Sequence, residues 1–165
     1  MADFVFDAFE FCRLGEHREG EIAVADMPRL AKEVVDTSGT IRWSLQGGRD
    51  ERGHPRLSMS VAGVVRLMCQ RCLTPFEHDV TSEAVLVLAR DEADIDAIES
   101  LIDDDSVDVI AGSHEMNSLD LIEDEVLLAL PLSPRHDVCP DPQAGEALKK
   151  AGKESPFAVL KDLKK

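Results

Sequence analysis

Residues 55–89 read PRLSMSVAGVVRLMCQRCLTPFEHDVTSEAVLVLA and contain two long apolar runs separated by a short polar turn. The runs Pro55–Met68 and Phe76–Ala89 are rich in β-branched and other apolar residues, which favours β-strands. A further strand-like run, Thr40–Leu45, precedes them, and the glycine-containing segment 47–53 supplies turn chemistry in between. Because turns join the three strands in succession, this part of the chain predicts an antiparallel meander.

Two helices are predicted before and after this meander. Asp26-Met27-Pro28 is typical of the start of a short helix that the Asp26 carboxylate caps. Between Leu119 and Leu130, apolar residues recur at spacings of three and four, which predicts a longer helix that ends before Pro131. The predicted fold class is therefore α+β: a twisted antiparallel β-sheet, which could curl toward a barrel, flanked by two or three α-helices.

The chain is predicted to form one domain followed by a short tail. Residues 1–145 are expected to form a single α+β domain with an acidic insertion at about 91–116, which is consistent with a loop or a weak helix. Residues 146–165 are expected to form a linker and a short helical motif that begins at Ser155-Pro156-Phe157, with the serine as cap. This motif is interpreted either as a docking peptide or as a helix that packs against the domain.

Negative charge is concentrated in one part of the chain. The 165 residues include 18 Lys or Arg and 33 Asp or Glu, for a formal charge of −15. Residues 91–125 hold 14 of the carboxylates and no Lys or Arg. Because this stretch would repel phosphate, we expect it to attract a basic protein or to remain a solvated loop. The six Phe, one Trp and no Tyr argue against a surface that stacks RNA bases.

No part of the chain resembles a signal peptide or a membrane span. The N-terminus is acidic, and the apolar runs are far shorter than the roughly 18 residues that a spanning helix needs. We therefore expect a cytoplasmic protein with no membrane partner and no small-molecule substrate. In that compartment the four cysteines are expected to be thiols or metal ligands rather than structural disulfides.

Two pairs of candidate metal ligands stand out. Cys69 and Cys72 form a C-x-x-C pair at a strand–strand turn, and His136 and Cys139 form an H-x-x-C pair after the long helix. A tight turn lets two thiolates converge on one metal ion, and a tetrahedral zinc site needs two more ligands. We expect either a zinc site formed by these four residues or a set of unligated thiols. A redox pair is disfavoured, because a strand rather than a helix follows the second cysteine.

Motifs that would indicate catalysis are absent from the sequence. It contains no phosphate-binding loop, no G-x-G-x-x-G, no G-x-S-x-G and no H-E-x-x-H. We therefore expect a protein that is not an enzyme. One alternative is a metal-dependent hydrolase that uses Asp103–Asp105. Another is an RNA-binding module in which Arg66, Arg71 and the tail Lys149–Lys165 contact phosphates.

Three blocks of the sequence resemble one known family. Cys69-Gln70-Arg71-Cys72-Leu73 closes a long strand, LDLIEDEVLLALPL occupies residues 119–132 ahead of His136 and Cys139, and SPFAVLK occupies residues 155–161. In their order and separation these blocks resemble the YceD-like family, the large ribosomal RNA subunit accumulation proteins, over nearly the whole chain.

The resemblance implies a cytoplasmic, non-enzymatic factor needed for accumulation or processing of the large-subunit (23S) ribosomal RNA, with no catalytic residues to carry over. In that family the gene commonly neighbours one for a small basic ribosomal protein. We therefore expect the partner to be a basic ribosomal protein, large-subunit pre-rRNA, or both. The apolar edge of the long helix is expected to supply the contacts that hold the partner. The individual residues expected to bind it lie on that helix and in the tail: Asp120, Glu123, Asp124, Glu125, Phe157 and Leu160.

Overall fold

The structure is a computed structural model and describes residues 4–140. The strands are β1 (Val5–Phe6), β2 (His17–Ala23), β3 (Thr40–Arg49), β4 (Pro55–Met68), β5 (Pro75–Ala89), β6 (Val107–Ala111) and β7 (Met116–Asn117). The α-helices are α1 (Ala8–Leu14), α2 (Leu30–Glu33), α3 (Glu92–Glu99) and α4 (Ser118–Ala129), and Val24–Asp26 forms a 3₁₀ turn.

The main sheet has five strands in the order β2-β3-β4-β5-β6. The strands β2 to β5 pair antiparallel in succession, which confirms the meander. β6 then pairs with β5 in parallel, because α3 carries the chain back along the sheet between them. Within residues 4–140 the sheet is open, with β2 and β6 as its outer strands. The α+β fold class is confirmed, but the sheet is mixed and does not close into the barrel considered above.

The turn between β3 and β4 begins three residues later than the predicted segment 47–53. Arg49 pairs with Pro55, so the turn spans residues 50–54. The Asp50 carboxylate accepts hydrogen bonds from the main-chain amides of Arg52 at 2.9 Å and His54 at 2.7 Å. Gly47 and its neighbour Gly48 lie inside β3 instead.

Helix α1 packs directly on β3 at Gly47. The helix is capped by Asp7, whose carboxylate accepts two main-chain amides of the first turn, and it ends at Gly15 in the left-handed conformation. A Cβ atom at Gly47 would lie 2.5 Å from the carbonyl oxygen of Phe11. A glycine at this strand position therefore allows the helix backbone to contact the strand backbone.

The main core lies between one face of the sheet and helices α1, α2 and α4. Along β4 the buried Leu57, Met59 and Val61 alternate with the half-buried Ser58 and Ser60. This alternation is what burial of one sheet face requires. The core also takes apolar side chains from every flanking helix: Phe11 and Cys12 from α1, Leu30 from α2, and Ile122 and Val126 from α4.

The acidic stretch folds against the sheet through its apolar residues. Its first part forms α3, whose first turn is capped by the Asp91 carboxylate. Ile98 is buried against Val87 and Ala89 of β5, and the half-buried Ile95, Ile102, Val107 and Val109 pack around them. Residues 91–111 thus contain a helix and a parallel strand with their own small core, which includes most of their apolar side chains and leaves Leu101 exposed.

The short helix predicted after Asp26 is a single turn, α2. Asp26 lies in the preceding 3₁₀ turn, and the side chain of the N-cap residue, Arg29, forms no hydrogen bond with the free amides of α2. The Glu123 carboxylate of α4 accepts them instead. The cap of this helix therefore comes from a residue distant in the sequence.

No helix within residues 4–140 is long and apolar enough to cross a membrane. Residues 141–145 of the predicted domain and the predicted tail, 146–165, lie outside the described residues. The predicted domain boundary therefore stays a prediction.

Replacement of Gly47 by alanine is expected to lower the free energy of unfolding by about 2 kcal/mol, because the new Cβ would press on the Phe11 carbonyl and lift α1 from β3. Gly48→Ala is the matched control, since a Cβ there meets nothing within 4 Å. Urea unfolding followed by circular dichroism measures both. Equal stability of the two variants would contradict the direct contact between helix and strand.

Candidate metal centre and partner-binding residues

The first half of the candidate metal centre is the turn between β4 and β5. The Cys69 amide donates to the carbonyl oxygen of Thr74 at 3.0 Å, and the Leu73 amide donates to the carbonyl oxygen of Cys69 at 2.9 Å. Leu73 has a φ of 58°, in the left-handed region that residues other than glycine rarely adopt. The turn is therefore tight, and it holds Cys69 and Cys72 close together.

The second half is the irregular segment 131–140 that follows α4. The Gln70 amide donates to the carbonyl oxygen of Pro134 at 2.8 Å. The Ser133 hydroxyl donates to the side-chain oxygen of Gln70 at 3.0 Å, across 63 residues of sequence. The rings of His136 and Phe76 lie 4.9 Å apart, centroid to centroid. These contacts hold the segment against the turn.

Together the two halves bring Cys69, Cys72, His136 and Cys139 into one group, which we call the Cys3His cluster. One ligand atom from each residue lies within 4.8 Å of the others. The Cys69 and Cys139 sulfurs are 3.9 Å apart, and the Cys72 sulfur is 3.3 Å from His136 Nδ1. Tetrahedral Zn–S bonds of about 2.3 Å would place two sulfurs about 3.8 Å apart. The spacing therefore fits one ion of that size.

The surroundings of the cluster favour a thiolate at Cys69. Burial opposes ionisation of this thiol, but the main-chain amides of Cys72, His136 and Arg71, with the His136 side chain, lower its pKa to about 5. Burial and the neighbouring thiols raise the pKa of Cys139, although the Arg71 guanidinium acts in the opposite direction. The thiolate is the form of cysteine that binds metals, so the lowered pKa favours the metal-binding form of Cys69 at neutral pH.

Arg71, expected to contact RNA, is part of the metal centre. Its Nε donates to the Cys139 sulfur at 3.0 Å and its Nη2 donates to the carbonyl oxygen of His136 at 2.8 Å. The other expected RNA contact, Arg66, donates to the Asp36 carboxylate at 2.8 Å. Both guanidiniums are therefore engaged within the protein, and Arg71 positions two of the four candidate ligands.

Glu123, one of the acidic residues expected to bind a partner, is buried with 1% of its surface exposed. Its carboxylate accepts hydrogen bonds from the Arg29 amide at 2.6 Å, the Leu30 amide at 2.9 Å and Arg29 Nε at 2.8 Å. Burial acts to raise the pKa of Glu123, but these donors outweigh it and the pKa is lowered. Glu123 therefore ties α4 to α2 and is not part of the exposed surface.

The other three acidic residues of α4 differ in their exposure and in their hydrogen-bond partners. Asp120 and Asp124 are exposed and Glu125 is half-buried. The Asp124 carboxylate pairs with the Arg29 guanidinium, and the Glu125 carboxylate accepts a hydrogen bond from the Ser82 hydroxyl. Asp120 is thus the carboxylate of α4 that is most available to a partner.

The apolar face of α4, expected to hold a partner, is turned toward the sheet. Ile122 and Val126 are fully buried there. Leu128, on another side of the helix, is 82% exposed.

Within residues 4–140 the most exposed large apolar side chains are Leu73, Leu128, Leu132 and Val138, at 68%, 82%, 102% and 84% exposed. Leu73, Leu132 and Val138 lie in the two segments that carry the Cys3His cluster. A groove of about 590 Å³ includes Leu73 and Leu132 and runs between the end of β4 and the end of α4. Contiguous exposed apolar surface of this kind is typical of protein interaction sites. Sequence reasoning missed it, because periodic spacing identifies only the residues that face the core.

Two further expectations concern residues outside these sites. Phe157 and Leu160 lie outside the described residues. Asp103–Asp105 are exposed, and within the described part of the chain they join no cluster of metal-ligating side chains. Arg29, which organises Glu123 and Asp124, was not anticipated, because its partners lie 94 and 95 residues away and leave no local signal.

Comparison with known proteins gives one consistent result. The family model described as large ribosomal RNA subunit accumulation protein YceD matches residues 57–164, a range that contains the whole Cys3His cluster. A curated relative from Haemophilus influenzae (strain ATCC 51907 / DSM 11121 / KW20 / Rd), named large ribosomal RNA subunit accumulation protein YceD, is 31% identical over 157 residues. The match covers 88% of this chain and 86% of the relative. No solved structure matches the chain.

Replacement of Glu123 by glutamine is expected to lower the free energy of unfolding at pH 7 by about 2 kcal/mol, because a buried charge-assisted network is weakened. The pKa of Glu123 is lowered from 4.5 in the folded state. Its contribution is therefore present above about pH 4.5 and is lost as the pH falls through the folded-state pKa. Urea unfolding at several pH values measures this. Asp120→Asn, at an exposed position of the same helix, is the control and should change little; equal losses in both variants would argue against the network.

Proposed function

Because this chain belongs to the YceD family of large ribosomal RNA subunit accumulation proteins, we propose that it acts in large-subunit assembly by binding a basic ribosomal protein. On this proposal it carries out no catalysis and works in the cytoplasm, where bacterial ribosomes are assembled. Support for the partner's class comes from the distribution of charge on the folded chain.

The observation that carries the proposal is the outward placement of the carboxylates in residues 91–125. Of the 14 carboxylates there, 11 are exposed, Asp94 and Glu125 are half-buried, and only Glu123 is buried. No Lys or Arg lies in this stretch to neutralise them. A surface of one sign speeds the encounter with a partner of opposite sign and selects against partners of the same sign. A basic protein therefore suits this surface better than bare RNA.

Apolar contacts would hold the partner once it has docked. The face of α4 that was expected to supply them is buried, so this role passes to the exposed side chains around the Cys3His cluster, above all Leu73 and Leu132. Charge would then govern the rate of encounter, and burial of these leucines would govern the lifetime of the complex.

A direct contact with pre-rRNA through Arg66 and Arg71 is less well supported. Both guanidiniums already bind groups of the protein, and the chain has a net charge of −15. We therefore place a ribosomal protein ahead of pre-rRNA as the direct partner.

We also propose that the Cys3His cluster binds zinc. Three sulfurs and one imidazole nitrogen are a donor set typical of structural zinc sites, and their spacing fits a tetrahedral ion. A bound ion would join the β4–β5 turn to segment 131–140 and so fix the two walls that carry Leu73 and Leu132. Arg71 would offset the negative charge of the thiolates.

The purified protein is expected to contain about one equivalent of zinc by elemental analysis, and its cobalt derivative should show the absorption of a tetrahedral site with thiolate ligands. Cys69→Ser combined with Cys72→Ser should abolish metal binding. Cys12→Ala is the control, because the buried Cys12 lies outside the cluster and should leave the metal in place. Less than about half an equivalent of zinc in the unmodified protein would overturn the assignment.

Neutralising four exposed carboxylates of the acidic stretch should weaken recovery of basic ribosomal proteins by about tenfold, because each lost charge reduces attraction to a cationic surface. The test variant carries Asp96→Asn, Glu99→Gln, Asp103→Asn and Asp120→Asn. Its matched control carries Glu21→Gln, Asp26→Asn, Glu77→Gln and Asp79→Asn, which remove the same charge from exposed positions elsewhere.

The measurement is affinity purification from cells after nuclease treatment, with quantitative mass spectrometry, alongside the level of 23S rRNA in cells that carry only the variant. The proposal predicts loss in the test variant and not in the control. Partners that disappear entirely after nuclease treatment, or equal effects of the two variants, would contradict it.

A further inference from the structure

A cavity of about 590 Å³ opens at the end of the sheet opposite the Cys3His cluster. We call it the sheet-end pocket. It lies where the parallel strands β5 and β6 end, beside the turn between β3 and β4. In open sheets, ligands are commonly bound at the carboxyl ends of parallel strands. Its volume is in the range typical of sites for small ligands.

The pocket has an apolar part. Phe9, Leu88, Ile98 and Pro55 line it, and Leu88 and Ile98 are themselves buried. A Cβ at Gly112 would lie 2.5 Å from the Phe9 ring, so the glycine allows this ring to lie directly on the backbone. The rings of Phe9 and His114 are 5.3 Å apart. The two rings are tilted by 51° to each other, so the aromatic surface that a planar ligand would stack on is the half-buried Phe9 ring alone.

The pocket also has two uncommitted cations. Arg49 and Arg90 line it, and within residues 4–140 neither forms an ion pair. Arg49 Nη1 donates to the carbonyl oxygen of Gly53 at 3.1 Å, which leaves most of its donors available. Two exposed guanidiniums that line one cavity can bind an anionic ligand together, since both keep free donors.

The carboxylates in and around the pocket form hydrogen bonds with neighbouring groups of the protein. Asp50 binds His54 Nδ1 at 2.8 Å, and Asp7 binds His114 Nδ1 at 2.6 Å. Asp94 accepts a hydrogen bond from the Arg90 amide at 2.9 Å. The lining of the pocket therefore combines two guanidiniums and the Phe9 ring with one carboxylate, that of Asp94. That combination suits a ligand that joins a planar ring to a phosphate.

We infer that the sheet-end pocket binds a nucleotide, with its base on the Phe9 ring and its phosphate between Arg49 and Arg90. The nucleotide is either free or a unit of single-stranded RNA. Because the neighbouring α3 is acidic, it would repel a long stretch of phosphate backbone, so the pocket takes one or two nucleotides rather than a duplex. This site is independent of the proposed binding of a basic protein.

Isothermal titration calorimetry of the full chain with AMP, GMP, CMP and UMP tests the inference. At least one of the four is expected to bind, and its nucleoside, which lacks the phosphate, should bind at least about tenfold more weakly. Arg49→Gln combined with Arg90→Gln should weaken the nucleotide by at least about tenfold. The control is a second double variant, Arg42→Gln combined with Arg18→Gln, which removes the same charge from residues that do not line the pocket. Arg42 lies on β3 at the end of the sheet far from the pocket. Urea unfolding of each variant verifies that it folds.

A second arm identifies the source of the nucleotide. A 5′-phosphorylated single-stranded tetranucleotide of the best-binding base is titrated beside the mononucleotide, and tighter binding assigns the site to RNA whereas weaker or equal binding assigns it to a free nucleotide. Three results would overturn the inference: none of the four mononucleotides binds, inorganic phosphate binds as tightly as the best of them, or the Arg49/Arg90 variant binds as well as the control.

Discussion

The antiparallel pairing of β4 and β5 is the constraint on which the rest of the structure depends. It runs from Arg56 opposite Val87 to Met68 opposite Pro75, a ladder of about 40 Å at roughly 3.3 Å per residue. The turn that closes one end carries Cys69 and Cys72, and the other end borders the sheet-end pocket. The two sites are therefore fixed at opposite ends of the sheet, and neither can shift without breaking ladder hydrogen bonds.

Local sequence signals were sufficient for the parts of the fold that local interactions decide. Alternation along residues 55–68 identified β4 with its bounds, and the spacing of Leu119 to Leu130 identified α4. The C-x-x-C and H-x-x-C pairs were enough to nominate the Cys3His cluster, because ligand spacing at a tight turn is a short-range property. These features depend on residues a few positions apart, so they can be recognised in a single sequence.

Contacts between distant residues could not be foreseen in the same way. Glu123 was assigned to a partner because it lies among the acidic residues of α4, whereas its carboxylate meets Arg29, 94 residues earlier. The acidic stretch was expected to attract a basic protein or to remain a solvated loop, but α3 and a parallel strand pack Ile95, Ile98 and Ile102 against β5. In both cases the role of a side chain depends on which helix or strand packs beside it. The distribution of charge and hydropathy along the sequence does not indicate which element that is.

Arg71 shows that the binding partner of a charged residue cannot be inferred from its charge alone. Arg71 lies between the two cysteines of the C-x-x-C pair and was expected to contact phosphate. The guanidinium instead lies 3.0 Å from the Cys139 sulfur, in a cluster where Cys69 already favours the thiolate. If Arg71 left to bind RNA, the negative charge of the sulfurs would lose its nearest compensation. The surface around the cluster carries exposed apolar side chains such as Leu73 and Leu132, with Arg135 as a neighbouring exposed cation, and under the proposed function recognition at this end of the molecule depends on burying the two leucines.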